Sequence, residues 1–345
     1  MKSDHKRLKV GIIGLGDVSS FHIQAIEMHE EADLMAVCDT DPATQLKVEG
    51  VSFYTNYLEM LEKEDLDVIH NCLPHHLHYS VTKACVEKGI HVLLEKPVSI
   101  SYEEGLLQKE LEVRLDAKIC VCFQNRYNQT FLELLRWLDK EETGTITGIK
   151  GLVTWFREPV YYESKPWRRK KSEVGYGNIM SQSIHTLDLI QLLGGPVDSV
   201  KASLSKLLDV NSEVEDTVSA SFQFKSGAKG YLHATNANVS NASVELEVIT
   251  EHDWFTIKDS CLYRMDQEGK KQLLAEDEQL DGAKFYFGAS HKYLIDRFYK
   301  AISEDTTDYI TVKDALPSIQ LIEMMADSSQ HIAEPERIQA ADYTR

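Results

Sequence analysis

The sequence has no apolar run of about 18 residues, so no segment is predicted to cross a membrane. It also has no secretory h-region, because the N-terminal residues MKSDHKRLKV pass directly into a strand pattern. Its 6 cysteines are scattered, and Cys120 and Cys122 alternate along one predicted strand instead of following metal-ligand spacing. These absences favour reduced thiols and predict a cytoplasmic protein.

Positive charge is scarce as well. The 37 Lys and Arg residues are outnumbered by 55 Asp and Glu residues, which gives a formal net charge of −18. This charge argues against nucleic acids and anionic membranes as partners. A hydrophobic fraction of 43% is typical of a folded globular chain, and 345 residues exceed one ordinary domain. We therefore expect two domains, comprising residues 1–124 and 125–345.

Residues 9–20 (KVGIIGLGDVSS) organise the first half of the chain. They predict a buried parallel strand that ends in a Gly-Leu-Gly turn, followed by an amphipathic helix from about Val18. Glycines at a helix N-terminus let backbone N–H groups approach a pyrophosphate, whose charge the helix dipole favours. Ser19 takes the third small position of this fingerprint, and a glycine turn without a ligand is the alternative for the motif alone. The predicted dinucleotide contacts here are Gly14, Gly16, Asp17 and Val18.

The next predicted strand, residues 34–38, ends at Asp39. A carboxylate at this distance from the glycines accepts hydrogen bonds from the adenosine ribose of a dinucleotide. No Arg or Lys follows within residues 40–42 to hold a 2′-phosphate. Asp39 therefore predicts NAD as the cofactor, in preference to NADP.

Strand and helix patterns alternate up to about residue 123, which predicts an α/β domain with a doubly wound parallel (Rossmann) sheet. Residues 52–54 form the predicted edge strand, and Ser101 with Glu104 predicts a capping box. Ligands of such sheets lie at the carboxyl ends of the strands. The predicted cofactor contacts at these ends are Leu73, Pro74, Glu95, Lys96 and Asn125.

From about residue 148 the pattern changes to longer alternating strands, with one helix predicted at residues 177–193. This pattern predicts an α+β domain with a large, mostly antiparallel open sheet. We expect its outer face to be buried against another subunit. The terminal helix, at about residues 313–330, is expected to pack back on the first domain.

Several motifs follow one another along both halves of the chain. They are GIIGLGDVSSFH, Asp39, CLPHHLH, EKP, NRY, Tyr161-Tyr162 with PWR, GNIMSQSIHTLDL and DALPSIQLIEMM. Together they resemble the motifs of the Gfo/Idh/MocA oxidoreductases. The resemblance implies a bound nicotinamide nucleotide, a sugar, cyclitol or related polyol as substrate, and a homodimer or homotetramer formed through the second sheet.

Oxidation of a secondary alcohol needs a charge that stabilises the alkoxide and a group that accepts the hydroxyl proton. Lys96 is predicted to supply the positive charge that stabilises the alkoxide. The resemblance implies a cis Lys96–Pro97 peptide that aims the lysine ammonium into the cleft. His185 is the predicted proton acceptor, and Asp188, one helical turn later, is expected to orient its ring. A solvated lysine and a core histidine are the alternatives.

The resemblance also implies further contacts in the cleft. His78 is expected beneath the nicotinamide ribose, and Arg168 is expected to close over the cofactor. Ser181 stands where inositol dehydrogenase-like members carry an aspartate, so a Lys–Asp–His triad is absent and inositol is the less expected substrate. The predicted substrate contacts are Lys96, Arg126, Tyr162, Trp167, Gln182 and His185.

No metal site is predicted, because His75, His76 and His78 have no Cys or carboxylate at ligand spacing. The basic run at residues 168–171 is interpreted as a solvated loop, with a site for an acidic or phosphorylated sugar as the alternative. The alternatives to an NAD-dependent dehydrogenase are a carbonyl reductase and a non-catalytic nucleotide-binding regulatory protein.

Overall fold

The computed structural model describes residues 7–48, 50–208, 210–278 and 290–329. The strands of the first sheet are β1 (Leu8–Ile13), β2 (Ala32–Cys38), β3 (Ser52–Tyr54), β4 (Val68–Asn71), β5 (His91–Leu94) and β6 (Ile119–Val121). The first helices are α1 (Ser19–Glu27), α2 (Tyr57–Lys63), α3 (His78–Val86) and α4 (Tyr102–Arg114). The six strands are parallel and lie in the order β3-β2-β1-β4-β5-β6, which confirms the predicted doubly wound sheet and its edge strand.

This sheet is covered by helices, so its central strands must be apolar on both faces. Every residue of β4 and β6 is buried, and only the first residue of β5 is partly exposed. The strand order reverses between β1 and β4, and the loops after these strands diverge there. A crevice for a ligand therefore opens at the carboxyl edge of the sheet.

The second sheet follows in the chain. Its strands are β7 (Ile146–Thr154), β8 (Val197–Ser205), β9 (Thr217–Phe224), β10 (Lys229–Thr235), β11 (Glu245–Thr250), β12 (Trp254–Lys258), β13 (Cys261–Met265) and β14 (Lys271–Glu276). They lie in the order β14-β13-β12-β11-β7-β10-β9-β8. Strands β7 and β10 are parallel and the other neighbours are antiparallel, which confirms a large, mostly antiparallel sheet.

Strands β13 and β14 go beyond the strands that the sequence predicts. The turn between β12 and β13 contains Asp259 and Ser260, whose φ angles are both positive, at 52° and 58°. Two-residue hairpin turns need such backbone angles, and a glycine usually marks them in the sequence. Because this turn contains no glycine, the hairpin has no recognisable pattern.

The remaining helices are α5 (Gln129–Leu138), α6 (Pro159–Glu163), α7 (Lys171–Val174), α8 (Asn178–Ser181), α9 (Ile184–Gly194), α10 (Ser290–Ser303) and α11 (Val312–Ser328). The single helix predicted at residues 177–193 is therefore wrong, since it is broken between α8 and α9. Ser183 donates from its backbone N to Asn178 O at 3.0 Å and from its Oγ to Asn178 Oδ1 at 3.0 Å. Such local bonds compete with a continuous helix.

The terminal helix α11 contacts elements of both halves of the chain. Tyr102 N, at the start of α4, donates to Glu323 Oε1 at 2.8 Å, and Ala202 N of β8 donates to Ser328 Oγ at 2.8 Å. The helix therefore ties the first domain to the second sheet. The domain boundary between residues 124 and 125 stays a prediction.

The N-terminus of α4 carries the predicted cap with one difference. Ser101 Oγ accepts from Glu104 N at 3.2 Å, whereas Glu104 Oε2 accepts from Ile100 N at 3.1 Å. The glutamate thus reaches one residue before the cap, and both N–H groups are satisfied.

Five cysteines are buried free thiols, and Cys261 is a partly exposed one. The buried residues are Cys38, Cys72, Cys85, Cys120 and Cys122. Among the described helices, none combines the length and the apolar character that crossing a membrane requires.

Candidate active site

A cavity of about 1360 Å³ lies between the carboxyl edge of the first sheet and the second sheet. Small-molecule sites usually occupy about 300–1,000 Å³, so this cavity has room for a dinucleotide and a second molecule. Most of the sequence-predicted site residues line it: Gly14, Gly16, Asp17, Val18, Asp39, Leu73, Pro74, Glu95, Lys96, Asn125, Trp167, Arg168, Gln182 and His185.

The glycine loop has the backbone that a dinucleotide requires. Gly14 has a φ of +94°, and a Cβ at this position would lie 2.7 Å from Cys72 O. A Cβ on Gly16 would meet no atom within 4 Å, which leaves open space beside the backbone. Ser19, at the third small position, is buried and donates from its Oγ to Gly16 O at 2.7 Å. These residues fit a pyrophosphate at the N-terminus of α1.

Asp39 lies at the end of β2, as predicted, and its carboxylate also orders the loops around it. Its Oδ2 accepts from Leu15 N at 2.7 Å, and its Oδ1 accepts from Asp41 N at 2.9 Å. Each carboxylate oxygen can accept a further hydrogen bond, so both remain able to bind ribose hydroxyls. The side chain therefore couples the glycine turn to the nucleotide pocket.

Lys96 follows β5, and the peptide between Lys96 and Pro97 is cis, as the resemblance implied. Its Nζ crosses to the second half of the chain and donates to Ser181 O at 2.7 Å. The backbone carbonyl of Ser181 thus meets the ammonium at the position where related enzymes carry an aspartate. Burial lowers the pKa of Lys96 from its ordinary value, and the charge of Glu95 opposes this shift.

His185 lies in the first turn of α9, where its ring borders the same cavity. Its Nδ1 has no hydrogen-bond partner among the described residues, and its Nε2 lies 3.4 Å from Gln124 Nε2. Burial, followed by the charge of Lys96, holds the pKa of His185 well below its ordinary value. The ring is therefore neutral at pH 7 and can accept a proton. Gln124, which no sequence motif marks, is the cavity residue beside it.

Asp188 does not orient His185, which corrects the prediction. Both of its oxygens bind Arg126, with Nε and Nη2 donating at 2.7 Å, and Ser318 Oγ donates to Oδ1 at 2.8 Å. Arg126 is therefore held in a buried ion pair and does not line the cavity, contrary to its prediction as a substrate contact. A bidentate guanidinium outcompetes a neutral imidazole for a buried carboxylate.

Tyr162 does not line the cavity either, which corrects its prediction as a substrate contact. It is buried, and its hydroxyl accepts from Asn236 Nδ2 at 2.8 Å. Its neighbour Tyr161 lines the cavity and accepts from Gln182 Nε2. Adjacent residues of a helix point about 100° apart, so α6 presents only one of the two rings to the cavity.

His78 lies behind the cavity lining. It is buried, with Nδ1 at 2.7 Å from Pro97 O and Nε2 at 2.8 Å from Leu73 O. The ring thus joins the two loops that carry Lys96 and Pro74. The resemblance implies that His78 contacts the cofactor, but it does not line the cavity. It supports the predicted cofactor site without facing it.

Arg168 and Trp167 lie in a 3₁₀ turn, Pro166–Arg169, on the opposite side of the cavity. Arg168 Nη2 lies 3.6 Å from Asp17 Oδ2, so the side chain spans from the second half of the chain to the glycine loop. Trp167 contacts His75, with ring centroids 4.9 Å apart, and His75 Nδ1 lies 2.9 Å from Val174 O. His75 is therefore a cavity residue that the sequence did not single out for this role.

The basic run divides into two parts. Arg168 lines the cavity, whereas Lys170 Nζ binds Glu173 Oε1 at 2.7 Å and Lys171 Nζ lies 5.5 Å from the centre of the Tyr176 ring. The two lysines thus have local partners outside the cavity, as a solvated loop predicts.

Within the described part of the chain, one group of four buried side chains brings possible metal-ligand atoms close together. Single donor atoms of His22, Glu95, Cys122 and His291 lie within 4.8 Å of one another. His22 Nε2 is 2.9 Å from Glu95 Oε1, which is a hydrogen-bond distance. The sequence did not point to this group, because its members are far apart in the chain.

Solved structures and curated sequences similar to this chain include several dehydrogenases. The crystal structure of a WlbA dehydrogenase from Chromobacterium violaceum, in complex with NADH and UDP-GlcNAcA, is 27% identical with a TM-score of 0.81, and the match covers 95% of both chains. A myo-inositol 2-dehydrogenase from Thermotoga maritima is 26% identical over 70% of this chain and 72% of its own. An uncharacterized oxidoreductase from Synechocystis is 27% identical over 57% of this chain, and the match spans about half of that relative's length (54%).

Two family models match consecutive parts of the chain. Residues 8–123 match an oxidoreductase family with an NAD-binding Rossmann fold, GFO_IDH_MocA, and residues 131–256 match a GFO/IDH/MocA C-terminal domain. The matches cover the glycine loop, the loop of Lys96 and the helix of His185. The chain therefore belongs to the Gfo/Idh/MocA family of NAD-binding oxidoreductases.

Proposed function

We propose that this chain oxidises a secondary hydroxyl group of a sugar, cyclitol or related polyol, with Lys96 and His185 as its catalytic residues. The observation that supports this proposal is their convergence. Lys96 follows a strand of the first sheet, His185 begins a helix packed on the second sheet, and both side chains border one cavity. The bound dinucleotide supplies the hydride acceptor.

The two residues have separate roles in this reaction. A unit charge about 4 Å from an alkoxide, at an effective dielectric of about 20, stabilises it by roughly 4 kcal/mol. The Lys96 ammonium provides this charge, and Ser181 O uses one of its three N–H donors. Neutral His185 accepts the proton of the hydroxyl group while a hydride leaves the carbon that bears this hydroxyl. The products are a carbonyl group, a protonated imidazole and the reduced cofactor.

Substrate binding is assigned to residues of the second half of the chain. Gln182 and Trp167 border the same cavity as His185, and Tyr161 adds an aromatic ring that can stack on a sugar. The names of the relatives support the substrate class, since one acts on myo-inositol and another was crystallised with a nucleotide-linked sugar. Because Ser181 replaces the aspartate of inositol dehydrogenase-like enzymes, we propose a sugar in preference to inositol.

Cofactor binding is assigned to the carboxyl edge of the first sheet. Asp39 supports NAD over NADP, because its carboxylate lies where a 2′-phosphate would have to bind. The proposed cofactor contacts are Gly14, Gly16, Asp17, Val18, Asp39, Leu73, Pro74, Asn125 and Arg168.

We also propose that the outer face of the second sheet forms a homodimer or homotetramer. The register brings Tyr231, Trp254 and Leu273 to this face, where the three side chains are 46–57% exposed. Exposed aromatic and aliphatic side chains on an open sheet face favour burial against a second copy.

The experiment measures the cofactor and the reaction separately. Mass spectrometry of nucleotide released on denaturation is expected to find NAD, and recovery of NADP would contradict the role of Asp39. A screen at 340 nm then follows NAD reduction with sugars and cyclitols, and NADH oxidation with the matching ketones. Turnover that disappears in Lys96→Met supports the proposal. Bound NAD without turnover in either direction would refute it.

A further inference from the structure

Four polar side chains, three from the first domain and one from α10, form a continuous chain in the interior behind Lys96. We call Tyr299, His70, His22 and Glu95 the buried chain. Tyr299 OH lies 2.8 Å from His70 Nε2, His70 Nδ1 lies 2.9 Å from His22 Nδ1, and His22 Nε2 lies 2.9 Å from Glu95 Oε1. Each residue is at most 5% exposed. Burying four polar side chains is costly unless each one is hydrogen-bonded, and here each one is.

The buried chain ends at the peptide that carries the proposed catalytic lysine. Glu95 Oε2 accepts from Lys96 N at 3.2 Å, so the carboxylate lies between His22 and the backbone of Lys96. The four residues come from α10, β4, α1 and the loop after β5. The packing of α10 against the first domain therefore helps to fix the position of this carboxylate.

The charge of Glu95 depends on the groups that face it. They are His22 on α1, His291 on α10 with Nε2 at 3.6 Å, Cys122 after β6, and Lys96 itself. Burial would raise the pKa of Glu95, but the hydrogen bond from His22 and the nearby ring of His291 hold it well below its ordinary value. Burial would lower the pKa of His22, and its contacts with Cys72 and Glu95 outweigh this and raise it to about 10.

The charge of Lys96 depends in turn on Glu95. Lys96 is partly buried beside Arg168, His75 and His185, and this burial disfavours its ammonium form. Glu95 is the carboxylate that acts on Lys96 with an opposing charge. An ionised Glu95 therefore favours a charged Lys96.

We propose that His22 is a positioning residue for Lys96: it holds Glu95 as a carboxylate, and Glu95 keeps the lysine ammonium charged and its peptide in place. This inference deepens the proposed function, because a charged Lys96 is what stabilises the alkoxide there. His70 and Tyr299 hold the ring of His22 from the other side. The 2.9 Å between His22 Nε2 and Glu95 Oε1 is an ordinary hydrogen-bond distance, and we infer that the pair is hydrogen-bonded.

The test measures the pKa of Lys96 without any substrate. Acetylation by limiting acetic anhydride, between pH 6 and 11, is followed by mass spectrometry of the Lys96 peptide, since only the neutral amine reacts. In His22→Leu, Glu95 loses the hydrogen bond from His22, and we expect its neutral form to become more favourable. The pKa of Lys96 then falls by about one unit, so its acetylation at pH 7.5 becomes about tenfold faster.

Matched variants separate positioning from general damage. Glu95→Gln keeps the shape of the side chain and is expected to give the same tenfold increase. Adding His22→Leu to Glu95→Gln is expected to give no further increase, because His22 acts through Glu95. His22→Gln keeps an N–H donor toward Glu95 and is expected to give a smaller increase. His91→Gln, a histidine of the same domain outside the buried chain, is expected to give none.

Two results would overturn the inference. One is an unchanged pH profile of Lys96 acetylation in His22→Leu and in Glu95→Gln, with native circular dichroism in both. The other is about one equivalent of zinc that remains with the wild-type protein after dialysis and is lost in His22→Leu. If His22→Leu fails to fold, Glu95→Gln and His22→Gln still decide the question. Because no sugar is present, failure of the proposed reaction does not affect the result.

Discussion

The first sheet is buried on both faces, whereas the second sheet buries one face and exposes much of the other. Every residue of β4 is buried, while buried and exposed residues alternate along β10. The carboxyl ends of parallel strands meet at one edge, so the loops that follow the strands of the first sheet line the cavity. The second sheet instead contributes through α9, a helix that packs on the inner face of this sheet and lines the cavity. The first sheet thus carries the proposed cofactor contacts, and the second sheet carries, through α9, the proposed proton acceptor.

This difference predicts where substitutions act. A change at the carboxyl edge of the first sheet alters the reaction or the binding of the cofactor, and a change in the ion pair of Arg126 with Asp188 alters stability. A change on the outer face of the second sheet leaves both intact. The following predictions test this comparison, from the largest expected effect to the smallest.

Lys96→Met tests the reactive edge of the first sheet. The substitution removes the ammonium and keeps an unbranched side chain, so we expect turnover to fall at least about 10³-fold, equivalent to about 4 kcal/mol. The affinity for NADH, measured by fluorescence titration, should stay within about threefold because the glycine loop is untouched. If Lys96→Met stayed active, the ammonium of Lys96 would have no role in the reaction.

Arg126→Met tests the ion pair that joins the segment after β6 to α9. Removing one partner of the buried pair with Asp188 leaves an uncompensated carboxylate, so we expect the free energy of unfolding to fall by about 3 kcal/mol. Urea denaturation followed by circular dichroism measures this change. The double variant Arg126→Met/Asp188→Leu should recover part of the loss. A double variant less stable than Arg126→Met would argue against the ion pair as the cause.

Gly14→Ala and Gly16→Ala test the cofactor loop. Alanine at position 14 meets Cys72 O and an unfavourable φ, so we expect about 2 kcal/mol less stability and weaker NADH binding. Alanine at position 16 meets no protein atom, so its stability should change by less than about 0.5 kcal/mol while NADH binding weakens. Equal loss of stability in both variants would contradict this assignment of the two glycines.

Trp254→Arg tests the outer face of the second sheet. The indole is 50% exposed, so we expect the stability of the subunit to change by less than about 0.5 kcal/mol. NADH affinity should stay unchanged, and size-exclusion chromatography with light scattering should detect a smaller assembly. The same mass for both proteins would place the subunit contact elsewhere.

Much of the cofactor edge could be predicted because its pattern is local. Gly14, Asp39 and Lys96 each follow an apolar strand directly, and the rules of parallel sheets bring such positions together. The fold class follows from the same alternation of strands and helices. The hairpin turn at Asp259 and Ser260 escaped prediction because its backbone angles are not marked by a glycine.

The supporting contacts could not be predicted, because they join residues far apart in the chain. Arg126 and Asp188 are 62 residues apart, and His22 and Glu95 are 73 residues apart. Sequence spacing alone paired Asp188 with His185, its neighbour on the helix, since that contact is the one a local rule can suggest. Three-dimensional packing brought a stronger partner to the carboxylate.

The reactivity of the buried thiols can report when the first domain opens. Five cysteines are enclosed in the interior of the first domain, and Cys261 alone of the six is partly exposed. A thiol-reactive dye should therefore modify one site rapidly and the other five only as the first domain opens. The slow phase would give the rate of that opening, with and without NADH, in the unlabelled wild-type protein.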